Sequence, residues 1–231
     1  MNQSDEPVTL HQAGPVLTVT LNRPELHNAL NPALIAGLTH AFAERAQAPD
    51  VRVVVLTGSG RSFCAGADLA AMRAAADYTF EENVADGGAI FDLMLAIDRC
   101  PRPVIARVNG PAIGGGVGLV CCCDIVMAVE RAVFAFSETR LGIVPAVISP
   151  FVLARIGPST ARELFLTGER FDARRAQAIG LVGHVVAEAE LDTAVAERVG
   201  QLLQAAPGAQ TARSPSPSKT PETKPRSRKQ A

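Results

Sequence analysis

Two glycine-rich segments hold the residues of this chain best suited to chemistry. The first runs Gly58-Ser-Gly-Arg-Ser-Phe-Cys-Ala-Gly-Ala-Asp68, the second Asn109-Gly-Pro-Ala-Ile-Gly-Gly-Gly-Val-Gly118. Each follows a strand-like run and leads toward a helical pattern. Each therefore offers free backbone N–H groups near a helix start, where a developing anion is best stabilised. Neither is a phosphate loop. The first lacks the Gly-Lys-Ser/Thr ending, and the second has Leu119 where a dinucleotide fingerprint requires its third glycine. A single glycine cluster is equally well explained by close backbone packing, so it is the pair that points to anion stabilisation.

Other reactive side chains give weaker patterns. The five cysteines (Cys64, Cys100, Cys121, Cys122, Cys123) are odd in number and form no CxxC, and three are adjacent, which argues against zinc or a disulfide framework. His11, His27 and His40 have no ligand spacing, and His184 reads as an ordinary histidine at a strand start, so no metal site is expected. Ser149 has neither a G-x-S-x-G context nor a nearby histidine, which disfavours acyl transfer through serine.

The elements that must position the two loops alternate between strand and helix. Val16–Leu21 alternates with period two, while Val51–Thr57, Val104–Val108 and Ile125–Val129 are short β-branched runs of buried-strand type. Asn31 and Pro32 read as the cap and first turn of a helix whose Leu34, Leu38 and Phe42 face inward. A second helix is expected over Glu81–Arg99 with Val84, Phe91, Met94 and Leu95 inward, and a further one over Glu188–Ala206. Strands separated by helices imply an α/β fold with both sheet faces covered.

Composition bounds the rest. The chain has 231 residues, 48% apolar and 19% charged, which fits one globular domain and excludes a collagenous or wholly disordered polymer. A net charge of −1 supplies no basic field, so nucleic acid and anionic membranes are not expected partners. No apolar stretch reaches the ~18 residues of a membrane span, and the first residues have no signal-peptide pattern, so a cytoplasmic location is expected. Charge is uneven, however. Residues 207–231 hold six Lys and Arg against one acid, giving that segment +5 and the rest −6. Its prolines and serines read as a disordered tail after a domain covering 1–206.

Asn28-Ala-Leu, SFCAGADL (62–69), PVIARVNGPAIGGGVGL (103–119), CDIVMA (123–128) and FSETRLGIVP (136–145), in this order and spacing, resemble the enoyl-CoA hydratase/isomerase, or crotonase, family over about residues 8–206. The resemblance implies a ClpP-like spiral of repeated ββα units and a coenzyme A thioester substrate. It implies no cofactor beyond the CoA that the substrate carries, and a homotrimer or a dimer of trimers. It places two oxyanion-binding amides on Ala65 and Gly115. CoA contacts would come from Arg23, Leu26 and the segment Ala65, Gly66, Ala67, Asp68 and Leu69, with Gly115 and Gly118 also lining the site. Cys64 reads as a small buried thiol beside the amides, and Asp68 as a cap of the helix that follows it.

One departure matters. Well-known hydratases of the family use two glutamates; here the first position is Gly118 and only Glu138 remains. Phe136, Leu141 and Ile143 around Glu138 are expected to raise its pKa, which suits proton exchange near neutrality. A single carboxylate also suits double-bond isomerisation. The combination GGGVGL with SETRLGIVPAVISPFVLARIG resembles hydratases of branched enoyl-CoA acids such as 3-methylglutaconyl-CoA, which implies a place in leucine degradation. A catalytically weak CoA-binding protein is the alternative. Family members continue with C-terminal helices where this chain turns basic, so an altered C-terminal region, a more open pocket and a weakened trimer are expected.

Overall fold

The computed structural model describes residues 6–211. In chain order the elements are β1 (Val8–Ala13), β2 (Val16–Leu21), α1 (Pro32–Ala43), β3 (Val53–Gly58), α2 (Leu69–Ala74), α3 (Phe80–Asp98), β4 (Val104–Val108), β5 (Ala112–Ile113) and α4 (Gly115–Cys122). There follow β6 (Ile125–Val129), β7 (Val133–Ala135), α5 (Ser149–Ile156), α6 (Pro158–Thr167), β8 (Arg170–Asp172), α7 (Ala173–Ala178), β9 (His184–Val186), α8 (Leu191–Gln204) and α9 (Pro207–Thr211).

The large sheet has the order β1-β2-β3-β4-β6-β9, antiparallel only between β1 and β2. The small sheet has the order β5-β7-β8. Successive passes of the chain give one strand to each sheet, β4 then β5 and β6 then β7, which winds the two sheets into the repeated ββα spiral. All six residues of β3 are buried, as a parallel strand covered on both faces requires. Its register against β2 and β4 brings the chain out at Gly58, where the first glycine loop begins.

Helix starts follow the local chemistry. The Asn31 side chain accepts from the Leu34 N–H at 2.9 Å, Pro32 fills the first turn, and Leu34, Leu38 and Phe42 are fully buried. Thr79 and Glu82 form a reciprocal capping box at the start of α3. Only Leu93, Met94 and Ile97 of α3 are buried, against α1 and α4; Val84 and Phe91, expected inward, are 57% and 37% exposed. The periodicity marks the correct face, but only the C-terminal half of the helix lies over the core. Helix α4 is the converse. From Gly116 to Cys122 every residue is buried, so adjacent cysteines pointing in different directions are all interior.

Pro207–Thr211 is helical, and the Thr211 hydroxyl reaches the Pro101 carbonyl at 3.2 Å, so the folded chain continues past residue 206. The remainder of the basic segment, 212–231, lies outside the described residues. No described helix is long and apolar enough to cross a membrane.

Candidate active site

The two glycine loops are laced together by backbone hydrogen bonds. The N–H groups of Phe63 and Cys64 both donate to the Pro111 carbonyl, at 3.0 and 3.2 Å, and the Ile113 N–H donates to the Cys64 carbonyl at 2.9 Å. The approach is close enough to require glycine. Gly66 has φ +86°, and a Cβ there would lie 2.6 Å from the Ile113 carbonyl oxygen and 3.5 Å from the Gly115 nitrogen. A Cβ on Gly116 would collide with the Cys64 carbonyl.

This lacing decides which amides are free. The Ala65 N–H donates to the His27 carbonyl at 2.9 Å, so Ala65 does not supply the expected oxyanion donor. Leu30 brackets the next residues, its N–H bonded to the Gly66 carbonyl at 2.7 Å and its carbonyl accepting from the Asp68 N–H at 2.9 Å. Between those two bonds the Ala67 N–H has no acceptor among the described residues. The Gly115 N–H, at the first turn of α4, has none either. Both residues line one cleft of about 770 Å³. Two unpaired donors on touching loops, one at the positive end of a helix dipole, make an anion site.

Glu138 lines the same cleft, in a short 3-10 turn after β7. Its Oε1 would lie 3.1 Å from a Cβ on Gly114, the residue before the free Gly115 amide. Its Oε2 is buried without a hydrogen-bond partner. Burial holds this carboxyl above the usual glutamate range, because the charged form loses hydration that a hydrogen bond from its own backbone only partly replaces. Leu141 and Ile143 line the cleft beside it, while Phe136 lies behind in a cluster with Phe165 and Phe171. No ion pair links Glu138 to Arg140 among the described residues.

The other expected site residues separate into two groups. Arg23, Leu26, Ala65, Ala67, Asp68, Leu69 and Gly115 line the cleft. Arg23 is mostly buried, and one arm of its guanidinium is engaged within the protein: Nη1 donates to the Ala29 carbonyl at 2.6 Å and to Asp68 Oδ2 at 2.9 Å. The guanidinium holds the Asp68 carboxyl below the usual range, and Asp68 Oδ1 caps α2 through the Ala70 N–H at 2.9 Å. Gly66 and Gly118 do not line the cleft. Gly118 is buried where a Cβ would lie 2.5 Å from Met94 Cε and 2.6 Å from Ile148 Cγ2, so apolar packing fills the place from which a second carboxylate would project. Cys64 is fully buried, and burial pushes its thiol up to about 12.

Asn28 and Asn109 are the site residues that sequence reasoning passed over. Asn28 is fully buried and Asn109 nearly so, and both side chains bond to the first loop. Their signal was their placement: a polar amide in the Asn-Ala-Leu motif, and another heading the second glycine loop. No group of three or more His, Cys, Asp or Glu side chains suited to a metal occurs among the described residues.

A profile of the enoyl-CoA hydratase/isomerase family matches residues 11–229. Enoyl-CoA hydratase ACTT6 of Alternaria alternata is 39% identical over 202 residues, spanning 87% of this chain and 65% of its own. Enoyl-CoA hydratase AKT6-1 of the same organism is 39% identical over 190 residues, 82% of this chain and 61% of its own, so the chain spans less than two thirds of these relatives. A crystal structure of an enoyl-CoA hydratase from Shewanella pealeana superposes with TM-score 0.86 at 36% identity, covering 89% of this chain and 77% of that one. One from Mycobacterium smegmatis gives 0.85 at 37% identity, with 89% and 79% covered. The family match extends beyond residue 206, where the motif resemblance ended. With the crotonase spiral, the laced glycine loops and the single glutamate in place, the chain belongs to the enoyl-CoA hydratase/isomerase family.

Proposed function

We propose that this protein is an enoyl-CoA hydratase that adds water across the α,β double bond of a thioester with one glutamate. The observation that carries the reading is the placement of the free Ala67 and Gly115 amides and of Glu138, whose Oε2 is buried without a partner, in one cleft. The thioester oxygen sits between the two N–H groups. Glu138, as carboxylate, takes a proton from water as the oxygen attacks the β-carbon; the pair of the α,β double bond shifts to join the α-carbon to the carbonyl carbon, and the carbonyl π pair moves onto the thioester oxygen. The enolate is held by the two amides, each worth roughly 3 kcal/mol in a site that excludes water. Glu138, now protonated, returns the proton to the α-carbon.

The finer reading is a branched substrate, of which 3-methylglutaconyl-CoA is the example, handled in the cytoplasm as part of leucine degradation by a homotrimer or a dimer of trimers. Its support is the motif combination around Gly118 and Glu138. Contacts to the CoA portion are assigned to Leu26, Ala65, Leu69 and the backbone around Asp68, with Arg23 holding that loop in shape. No cofactor is required, since CoA arrives with the substrate. One observation favours a second reading, isomerisation: with Gly118 walled off by Met94 and Ile148, no carboxylate projects from that position to pair with Glu138, and one suffices to move a proton between two carbons.

The test is the loss of conjugated enoyl-thioester absorbance with 3-methylglutaconyl-CoA and crotonyl-CoA in parallel, followed by product analysis. A 3-hydroxyacyl-CoA product with preference for the branched acid supports the proposal. A shifted double bond without water addition supports isomerisation, and CoA binding without turnover of either kind sinks both.

A further inference from the structure

We propose that Asn28 and Asn109 are positioning residues of the anion site, converging on the Ser62 carbonyl to set the Ala67 N–H against the Gly115 N–H. The proposal rests on the reading of those two amides as the pair that binds the thioester oxygen.

The Asn28 side chain is spent completely, on the first loop and on the backbone of Arg23. Its Nδ2 donates to the carbonyls of Ser59 and Ser62, both at 2.9 Å; its Oδ1 accepts from the Arg23 N–H at 2.9 Å and the Ser59 hydroxyl at 3.4 Å. Both donors and both lone pairs of the amide are thereby used, inside the protein, where unmade bonds are expensive. The backbone is held in an unusual shape to achieve this. His27 and Asn28 both have positive φ, 51° and 58°, a left-handed pair that the side-chain bonds over-determine. Two residues later Leu30 makes the bonds that flank Ala67, so displacement of Asn28 is transmitted directly to the free amide.

Asn109 grips the same turn from the other loop. Its Nδ2 donates to the Gly60 carbonyl at 3.0 Å and reaches the Ser62 carbonyl at 3.4 Å, while its Oδ1 accepts from the Gly58 N–H at 3.2 Å. Asn109 heads the segment that carries Gly115, and Asn28 precedes the segment that brackets Ala67. The Ser62 carbonyl is therefore the point at which both supports meet. There is no slack in the joint: a Cβ on Gly58 would lie 2.5 Å from the Ser62 oxygen and 2.7 Å from Asn28 Nδ2.

The experiment compares Asn28→Ala, Asn109→Ala, the double variant and Asn109→Asp in the full chain. Asn109→Asp keeps side-chain volume and the acceptor for Gly58. Thr79→Ala, which breaks the α3 capping box at a residue that does not line the cleft, serves as a control for general destabilisation. Turnover of the better enoyl-CoA substrate is read with the infrared carbonyl stretch of bound butanoyl-CoA labelled with 13C at the thioester carbon. Each site variant is expected to lower kcat about tenfold to a hundredfold, because misplaced donors lose transition-state stabilisation. KM should stay within about threefold, since most CoA contacts remain. The carbonyl stretch, lowered on binding to the wild type, should return toward its free value in the site variants and stay lowered in Thr79→Ala. The double variant should lose less than the product of the single losses, as expected for two groups acting on one carbonyl. Folded variants with wild-type kcat and carbonyl shift overturn the proposal. A wild-type protein with neither turnover nor carbonyl shift overturns the reading beneath it instead.

Discussion

Glu138 combines three properties seldom found together in a structural glutamate: a place in a cleft wall, a buried oxygen without a partner, and a carboxyl raised above its usual range by burial. Glu138→Gln should lower turnover by about 10²–10⁴, the ordinary worth of general acid–base catalysis, with CoA binding nearly unchanged by calorimetry. The same shift fixes two pH dependences. Because the carboxylate is the working base, kcat/KM of the wild type should fall on acidification with an apparent pKa above the ~4.3 of free glutamate. Because the folded pKa is raised, protonated Glu138 is the form that suits the fold; its favourable contribution is complete below the unfolded pKa and disappears as pH rises through the folded value. Thermal midpoints of Glu138→Gln should accordingly gain on the wild type across that window, and a gain that shrank with rising pH would remove burial as the cause. Gly66 bears on the neighbouring donor. Gly66→Ala, at φ +86° and facing the Ile113 carbonyl, should cost about 1–3 kcal/mol in denaturant unfolding and depress kcat in the folded protein.

At the scale of elements, the site depends on short connections rather than on long regular structure. Helix α2 is six residues long with no buried side chain, so it is held chiefly at its start, where Asp68 caps two N–H groups while pairing with Arg23. Asp68→Ala should destabilise the protein by about 1 kcal/mol for the cap alone and leave the partly buried Arg23 guanidinium without its carboxylate. Hydrogen exchange would show this as faster exchange confined to 69–74, whereas uniform acceleration across the sheet would mean that Asp68 supports the whole fold. Helix α4 is secured differently. It is buried throughout after its first residue, and its cysteines are held as neutral thiols, with burial pushing Cys121 up to about 12. Thiol reagents should therefore label the native protein slowly, and rapid labelling at Cys121 would contradict the enclosed position of α4.

For the molecule as a whole, the feature that stands out is an exposed apolar groove beside the cleft. Val144, Leu153 and Leu166 are exposed yet share one groove, with Leu141 and Ile143 continuing the apolar surface to the cleft mouth. Apolar surface of this kind is characteristic of a face between subunits, in keeping with the proposed homotrimer. Sedimentation velocity should give a trimer or larger, and Leu166→Glu should shift the distribution toward monomer; a wild-type monomer at all concentrations would rule the assembly out.

Strand and helix identity was legible from sequence wherever local chemistry decides it. Val16–Leu21, Val104–Val108 and Ile125–Val129 are the strands their patterns indicate, and Asn31 with Pro32 starts α1 as cap and first turn. The two glycine loops and Glu138 were legible as motifs, because residue type and spacing survive without a third dimension. What only the tertiary structure decided was which groups remain free. Ala65 and Ala67 are the same residue type two positions apart, and the difference between them is a hydrogen bond from Ala65 to the His27 carbonyl, contributed by a distant part of the chain. Gly118 is likewise removed from the cleft by Met94 and Ile148. Local sequence encodes the donors and the turns, but whether a donor is spent or available depends on partners that folding alone brings within reach.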